Sequence, residues 1–187
     1  TMKNIAKEAS LDGEYDITLE ATHHGPLLDS PTLYLEIGSD EERWSDPRAG
    51  RVWAQTISIC LGMSDDIRQR EWPGEGDVMI GLGGGHYAPR ANKLASLEGV
   101  WLGHMLATYA LPFVKPDDES TIPGGTWMQA IDAVVASTKR AFPNGNYVIS
   151  MDKKAFRGWQ RQAIRNHLSD IGIPLLTTKQ IIEELGK

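Results

Sequence analysis

Cysteine is nearly absent from this sequence, since Cys60 is the only one among 187 residues. A single cysteine excludes a disulfide within the chain and a zinc site built from thiolates. So low a cysteine content is typical of proteins from a reducing compartment, and it predicts a cytoplasmic location. Cys60 itself is expected to be a small residue of the hydrophobic core.

Long hydrophobic runs are also lacking, because no apolar stretch reaches the roughly 18 residues that a membrane-spanning helix needs. The first residues, from Thr1 to Asn4, do not form the apolar segment of a secretory signal. We therefore expect no membrane contact. A length of 187 residues suffices for a single domain, over residues 1–187, with a sizeable core.

Positive charge is scarce in most of the chain but not at its end. The net charge of the chain is −6. Residues 1–138 carry a charge of −11, from 10 Lys and Arg against 21 Asp and Glu. Residues 139–187 carry a charge of +5, from 9 Lys and Arg against 4 Asp and Glu. The basic residues between 139 and 165 are Lys139, Arg140, Lys153, Lys154, Arg157, Arg161 and Arg165. A basic region on an acidic body predicts contact with a phosphate backbone. A solvated helix face is the alternative interpretation.

Hydrophobic periodicity alternates along the chain between the spacing of strands and that of helices. Asp46-Pro47 as a start and Gly62 as a C-terminal cap delimit one helix, and Thr126 with Gln129 forms a capping-box signature. The predicted helices are 3–11, 46–60, part of 94–106, 126–138, 158–171 and 178–185, and the predicted strands are 15–20, 32–37, 77–81, 147–151 and 175–176. This alternation predicts a three-layer α/β sandwich with a mostly parallel or mixed sheet.

The first stretch suited to chemistry is Glu20-Ala21-Thr22-His23-His24-Gly25-Pro26, at the end of a predicted strand. Functional sites in open α/β sheets form at the carboxyl ends of strands. His23 and His24 are therefore candidates for a general base or for orienting a water molecule. Glu20 and Glu36 end their predicted strands, and each could accept a hydrogen bond that sets an imidazole tautomer, or be an ordinary solvated residue. Because adjacent strand residues point to opposite faces, the two histidines need not serve one pocket.

The second stretch is glycine-rich and reads Gly81-Leu82-Gly83-Gly84-Gly85-His86-Tyr87-Ala88-Pro89-Arg90. Three successive glycines allow unusual backbone angles and close approach of a ligand. The loop is predicted to offer backbone N–H groups to an anion or a developing oxyanion. It is neither a P-loop nor the dinucleotide fingerprint, because the required spacing is missing. Its candidate residues are Gly83, Gly84, Gly85, His86, Tyr87 and Arg90.

Histidines also supply the candidate ligands of a metal. Two or three imidazoles with a carboxylate can hold zinc and leave one coordination position open. The candidate ligands are His23, His24, His86 and His104. Their spacing matches no recognised zinc signature, and a place on a helix face is the alternative for His104.

Six pieces of the sequence, in order over nearly the whole chain, carry a family resemblance. They are Glu20–Pro26, Glu36-Ile37-Gly38-Ser39, Trp44 with Arg48-Ala49-Gly50, Gly83–Pro89, Gly103-His104 with Tyr109-Ala110, and Arg157-Gly158 with Arg161-Gln162. Together they resemble the archaeal and plant type of D-aminoacyl-tRNA deacylase. That family carries a further N-terminal segment, so this chain is expected to correspond to its larger, C-terminal part.

The resemblance implies hydrolysis of the ester between a D-amino acid and the 3′ end of a tRNA, as quality control of translation. It also implies a sandwich of the phosphorylase type, related in shape to peptidyl-tRNA hydrolase, and an association with zinc. Two alternatives remain open. One is a catalytically silent tRNA- or nucleotide-binding protein, and the other is a metal-dependent or phosphorolytic enzyme for a nucleoside-like small molecule.

Ester hydrolysis needs an activated water, a stabilised oxyanion and contacts with the nucleic acid. The working hypothesis makes His23 or His24 the general base, oriented by Glu20 or Glu36. The loop from Gly83 to His86 stabilises the oxyanion in this hypothesis. The predicted tRNA contacts are Lys153, Lys154, Arg157 and Arg161. An exposed sheet edge would in addition favour a homo-oligomer.

Overall fold

The structure is a computed structural model that describes residues 1–21, 34–38, 40–66, 71–118 and 121–185. These residues fall into two compact units. The first unit comprises Thr1–Ile17 and described residues between 34 and 71, and the second comprises residues 18–21 and the chain from Trp72 onwards. One domain over residues 1–187 stays a prediction.

The first unit has a small core between two of its helices. Its three described helices are α1 Met2–Glu8, α2 Glu41–Trp44 and α3 Pro47–Cys60, and the core lies between α1 and α3. Ile5 of α1 packs in one buried cluster with Val52 and Ile59 of α3. Buried positions three and four residues apart give α3 one apolar face, which is the pattern that its sequence predicts.

Both ends of α3 agree with the sequence, but one of its residues does not. Asp46 is the N-cap and accepts a hydrogen bond from the Arg48 N–H, and Gly62 adopts a φ of +67°, the left-handed conformation that ends helices. Cys60 was expected in the core and is exposed instead. It follows the buried Ile59, and the 100° turn between successive helical residues takes its side chain off the buried face.

Two predicted strands are not seen in the part of the chain that the structure describes. Residues 15–20 and 34–37 have no strand structure, and the rest of the predicted strand 32–37 lies outside the described residues. Both the N–H and the carbonyl of Leu19 bond the side-chain amide of Asn92, each at 2.7 Å. Alternating apolar residues indicate which face is buried, but a strand also needs a hydrogen-bonded neighbour, and here an amide side chain takes that place.

Charged side chains link the start of α3 to the loop after α1. The Tyr15 hydroxyl and the Arg48 Nη2 each donate to Asp46 Oδ2 at 2.8 Å, and Arg48 Nη1 donates to Glu14 Oε1 at 2.8 Å. Hydrogen bonds from the Arg48 side chain, from its backbone N–H and from Tyr15 hold the pKa of Asp46 well below its usual range. Arg48 and then Arg43 lower the pKa of Glu14 in the same way.

Replacing Asp46 with asparagine is expected to flatten the acid dependence of stability in the first unit. A carboxyl with a lower pKa in the folded than in the unfolded chain stabilises the fold above its unfolded pKa, about 3.9. That contribution is lost as the pH falls through the folded pKa. Asparagine keeps the cap and removes the charge, whereas Asp46→Ala removes both. Hydrogen exchange of the α3 amides, measured from neutral pH into acid, checks this, and parallel losses in Asp46→Asn and the unaltered chain would contradict it.

The second unit is built on a parallel sheet of four strands in the order β2-β1-β5-β6. The strands of this unit are β1 Gly76–Leu82, β2 Val100–Leu106, β3 Phe113–Val114, β4 Gly124–Gly125, β5 Gly145–Met151 and β6 Leu175–Leu176. β3 and β4 form a separate antiparallel pair. β1 and β5 run in register from Gly76 opposite Gly145 to Leu82 opposite Met151. The predicted mostly parallel sheet is confirmed.

Helices cover both faces of this sheet, as the predicted three-layer sandwich requires. They are α4 Pro89–Ala95, α5 Trp127–Ala141, α6 Gly158–Asp170 and α7 Thr178–Glu184. One core cluster includes Ile80, Ile131, Ile149 and Ile164, under α5 and α6, and the other includes Met79, Leu94, Val148 and Ile181, under α4 and α7. Met79 and Ile80 serve different clusters because successive strand residues point to opposite faces. No helix of the described ranges is long and apolar enough to cross a membrane.

The sequence predicts that part of the segment 94–106 is helical. The second half of this segment forms a strand instead. α4 ends at Ala95, and β2 begins at Val100. All seven residues of β2 are half-buried, because it lies at one edge of the described sheet. Its apolar residues therefore do not alternate. Gly103 is required here, since a Cβ at this position would lie 2.5 Å from Thr138 Cγ2 of α5.

The Thr-x-x-Gln signature forms a capping box at one helix start and not at another. Thr126 precedes α5, but its hydroxyl makes no capping hydrogen bond. Thr177 accepts from the Gln180 N–H at 3.2 Å, and its own N–H donates to Gln180 Oε1 at 2.9 Å. The backbone explains the difference, because an N-cap needs extended angles. Thr177 has them, with φ −78° and ψ 158°, while Thr126 has φ −100° and ψ 19°.

Candidate active site

The carboxyl edge of the parallel sheet contains a topological switch point between β1 and β5. From β1 the chain passes through α4 to β2 on one side, and from β5 it passes through α6 to β6 on the other. Ligands of such sheets bind in the crevice outside the carboxyl ends of the two strands. A small cleft lies there. It is lined by Gly81, Leu82, Gly83, Ala88, Pro89, Arg90, Ala91, Ser150 and Asp152.

The glycine loop after β1 is held in place by the segment after β2. Gly83 and Gly84 both adopt a φ of +89°, which glycine tolerates without steric cost. The Gly83 N–H donates to the carbonyl of Leu106 at 2.8 Å. The Gly84 N–H donates to Thr108 Oγ1 at 2.9 Å, and the Thr108 N–H returns a bond to the Gly84 carbonyl at 3.0 Å. These bonds fix the loop between two strands of the sheet.

The next part of the loop offers backbone donors. Among the described residues, no group accepts a hydrogen bond from the N–H of Gly85 or of Tyr87. A Cβ at Gly85 would have no atom within 4 Å, so the backbone here is open to a ligand. Free N–H groups on a fixed loop are the donors that an oxyanion hole requires.

Residues 18–21 lie along this loop, although they form no strand. The Ala21 N–H donates to the His86 carbonyl at 2.7 Å, and the Asn92 amide bonds the carbonyls of both Leu19 and Tyr87 at 2.7 Å. The structure thereby brings Glu20, which is half-buried, to the same loop as His86. Sequence reasoning missed Asn92, because an asparagine within a helical segment carries no signal for a distant backbone contact.

His23 and His24 follow this segment in the sequence and lie outside the described residues. Their predicted roles stay predictions. Glu36 is exposed and belongs to the first unit. The described residues therefore bring together only Glu20, the glycine loop and His86 from the two stretches that the sequence singles out.

Asp152 directly follows β5. Like Asn92, it is a residue of the site that sequence reasoning missed. Its N–H donates to the Leu82 carbonyl at 2.8 Å, which ties the end of β5 to the end of β1. Its Oδ1 lies 3.1 Å from Arg90 Nε and accepts the Lys154 N–H at 3.1 Å. A polar residue immediately after a predicted strand is the signal that could have identified it.

The predicted tRNA contacts divide into two kinds. Lys153, Lys154 and Arg157 are exposed beside the cleft, and no carboxylate of the described residues lies within ion-pair distance of them. Arg161 is half-buried, and its Nη1 donates to the carbonyls of Lys153 at 3.1 Å and Phe156 at 2.6 Å. Arg161 thus holds the turn that carries the other three.

His104 is turned toward α5. Its Nδ1 lies 2.9 Å from Thr138 Oγ1, and burial, then the charge of Arg140, lowers its pKa. Its ring is bonded to a buried hydroxyl, and it does not line the cleft. Within the described ranges, no three His, Cys, Asp or Glu side chains are grouped to hold a metal ion. Two of the four candidate zinc ligands, His23 and His24, lie outside the described residues, so the zinc site stays a prediction.

Comparison with known proteins identifies the family. The profile of the family described as D-aminoacyl-tRNA deacylase matches residues 1–176. The chain belongs to the D-aminoacyl-tRNA deacylase family. Its relatives include a D-aminoacyl-tRNA deacylase of Arabidopsis thaliana, 41% identical over 180 residues, and one of Methanosarcina barkeri, 36% identical over 186 residues.

The family resemblance seen in the sequence is therefore confirmed. The matching region is only part of the length of these relatives. The alignments cover 92% of this chain and 57% of the Arabidopsis protein, and 99% and 51% for the Methanosarcina protein. The chain thus spans about half the length of the curated relatives it matches. A solved crystal structure, described as a conserved protein of unknown function, has the same fold. Its TM-score is 0.67 at 25% identity, over 98% of this chain and 56% of that one.

Proposed function

We propose that this chain hydrolyses the ester bond of a D-aminoacyl-tRNA and releases the D-amino acid and the tRNA. The observation that carries the proposal is the family match over residues 1–176, whose glycine loop lies at the switch point of the sheet. Removal of D-amino acids from tRNA is a form of translation quality control. A cytoplasmic location and self-association, both predicted from the sequence, stay predictions.

The chemistry of the proposal starts at the carbonyl carbon of the ester. A water molecule attacks this carbon and gives its proton to a general base, and the carbonyl oxygen becomes an oxyanion. The N–H groups of Gly85 and Tyr87 stabilise that charge, and the bond to the ribose oxygen then breaks as this oxygen takes up a proton. His23 or His24 is the proposed base, and Glu20, beside the loop, is the proposed group that orients it.

The basic residues beside the cleft account for the nucleic-acid part of the substrate. Lys153, Lys154 and Arg157 extend from the same sheet edge as the glycine loop, and their charges have no partner among the described residues. Phosphates of the tRNA 3′ end would meet them when the ester occupies the cleft. Exposed, uncompensated cations are suited to phosphate contacts, which release counterions from the nucleic acid.

Replacing Arg157 with glutamine is expected to lower the salt dependence of tRNA binding by about one phosphate contact. The slope of log K against log salt concentration should become shallower by about 0.7 to 0.9. Arg140→Gln is the matched control, because Arg140 is also exposed but lies in the last turn of α5, at the opposite edge of the sheet. Binding isotherms at several salt concentrations measure both slopes, and equal slopes for the two variants would contradict the proposed contact.

The proposal is tested with the purified chain and tRNA charged with D-tyrosine. We expect release of free D-tyrosine at a rate well above spontaneous ester hydrolysis. Salt-dependent tRNA binding without release would instead support the silent binding protein. Release of a base from nucleosides in the presence of phosphate would support the phosphorolytic enzyme.

We propose zinc as a cofactor because the family resemblance implies it. Metal analysis of the purified chain, with the deacylation rate measured before and after chelation, tests this. Bound zinc and a rate that falls on chelation would support the proposal. An unchanged rate with no bound metal would remove it.

A further inference from the structure

We propose that Asp152 binds the α-ammonium group of the aminoacyl ester, an inference that rests on the proposed deacylase function. The cleft at the switch point would then have two sides. Backbone N–H groups of the glycine loop face the developing oxyanion, and the Asp152 carboxylate faces the amino group of the same substrate.

The position of Asp152 is fixed independently of any ligand. Its N–H bond to the Leu82 carbonyl, 2.8 Å long, holds its backbone at the carboxyl ends of β5 and β1. Its Oδ1 is held by Arg90 Nε and by the Lys154 N–H, both at 3.1 Å. The side chain is 19% exposed. The backbone is thus held by one contact and the carboxylate by two before a substrate arrives.

The second oxygen of the carboxylate is the one available to a substrate. No donor among the described residues bonds Asp152 Oδ2. This oxygen lies 3.8 Å from the point that a Cβ on Gly84 would occupy, so it faces the glycine loop. A carboxylate oxygen with free lone pairs accepts charge-assisted hydrogen bonds from ammonium groups.

The spacing of the substrate matches this arrangement. In an aminoacyl ester the ammonium group is attached to the carbon next to the carbonyl carbon. A group that binds the ammonium must therefore lie beside the loop that stabilises the oxyanion, and Asp152 Oδ2 lies beside Gly84, the residue before Gly85. Of the residues that line the cleft, Asp152 is the one with a carboxylate.

The charges at this edge divide between one carboxylate, Asp152, and the exposed cations that follow it in the sequence. Lys153 and Lys154 follow Asp152 directly and are exposed, so the neighbouring surface is basic. The carboxylate attracts an ammonium at its own position, whereas the exposed lysines attract phosphate at theirs. The substrate has the same polarity, with an ammonium on one side of the ester and phosphodiesters on the other. The ion pair with Arg90, whose side chain is 43% exposed, is weak enough to share its carboxylate.

Asparagine at position 152 tests the inference through binding, without turnover. The ligand is a non-hydrolysable adenosine that carries D-tyrosine through a 3′-amide, prepared with a free amine and with an N-acetyl group. The unaltered chain is expected to bind the amine about 10- to 100-fold more tightly than the acetyl form, and Asp152→Asn to bind the two about equally. Asp77→Asn is the matched control. It lies at the amino-terminal end of β1, where Asp77 Oδ1 accepts from Asn146, and should keep the full preference.

A second variant keeps the test decisive if Asp152→Asn does not fold. Arg90→Gln removes the ion pair and leaves the carboxylate, so it should bind the amine at least as tightly as the unaltered chain.

Equal binding of both ligands by the unaltered chain, or an unchanged preference in Asp152→Asn, overturns the inference. Where ester hydrolysis occurs, equal losses of kcat/KM by Asp152→Asn on free and N-acetylated D-tyrosyl-tRNA would assign a general-base or structural role instead. A chain that hydrolyses neither ester refutes the proposed function, and the binding result still decides the role of Asp152.

Discussion

The Gly83→Ala variant is expected to lose about 3 kcal/mol of unfolding free energy, from backbone strain and overpacking together. Gly83 has a φ of +89°, where a residue with a Cβ is strained. The added Cβ would also lie 2.5 Å from Phe156 Cε2 and 3.1 Å from the Cβ of Ala155. Phe156 is buried in the core under α5 and α6, so its ring cannot move without opening a void elsewhere.

Relief of this clash would shift the glycine loop away from the strand that supports it. The Gly83 N–H bond to Leu106 and the Gly84 bond to Thr108 would lengthen, and the N–H groups of the loop would lose their fixed direction. Since oxyanion stabilisation depends on donors that are already in place, the proposed deacylation should fall together with stability.

Gly85→Ala is the matched control, two residues further along the same loop. A Cβ there meets no atom within 4 Å, so unfolding free energy should change by less than about 0.5 kcal/mol. Denaturant unfolding with a constant m value measures both variants. Equal stability of Gly83→Ala and Gly85→Ala would show that the packing around Gly83 is looser than described.

Alanine at the histidine proposed as general base is expected to lower the rate of the proposed deacylation by about 10²- to 10⁴-fold, the usual contribution of a general base. The sequence leaves open whether this residue is His23 or His24, and both lie outside the described residues. Single variants at the two positions separate them. The loss should be large for one and small for the other if only one imidazole reaches the ester, as the alternation of side chains along an extended chain predicts.

His167→Gln is the control for this comparison. His167 Nε2 lies 2.8 Å from Asp132 Oδ1 on the surface between α5 and α6, and the ring packs edge-on against Trp127. Its replacement should leave the rate within a few-fold of the unaltered chain. Full deacylation by both His23→Ala and His24→Ala would remove these residues from the role of base.

Local sequence signals predicted five helices, α1, α3, α5, α6 and α7, and the interior strands β1 and β5, because those elements are specified by short-range physics. They did not predict α2 or the start of α4. The Asp46 cap, Pro47 and Gly62 bound α3 where the sequence placed it. β1 and β5 are short apolar segments, buried on both faces between two layers of helices, which is the pattern of interior parallel strands.

Long-range contacts decided the cases that the sequence predicted wrongly. Residues 15–20 alternate like a strand, but their hydrogen bonds go to side chains and to a loop, as Leu19 shows with Asn92. β2 has no alternation because it is half-buried at a sheet edge. Thr126 has the right sequence for a capping box and the wrong backbone angles.

The sequence by itself determined the α/β class, the family and the glycine loop, because these depend on residue types and their order along the chain. Only the tertiary structure decided which residues share the cleft. Asp152 and Arg90 are far apart in sequence and meet because β1 and β5 are neighbours in the sheet. His104 is separated from the cleft because β2 presents it to α5. Strand order, which local sequence does not encode, is the physical reason for both outcomes.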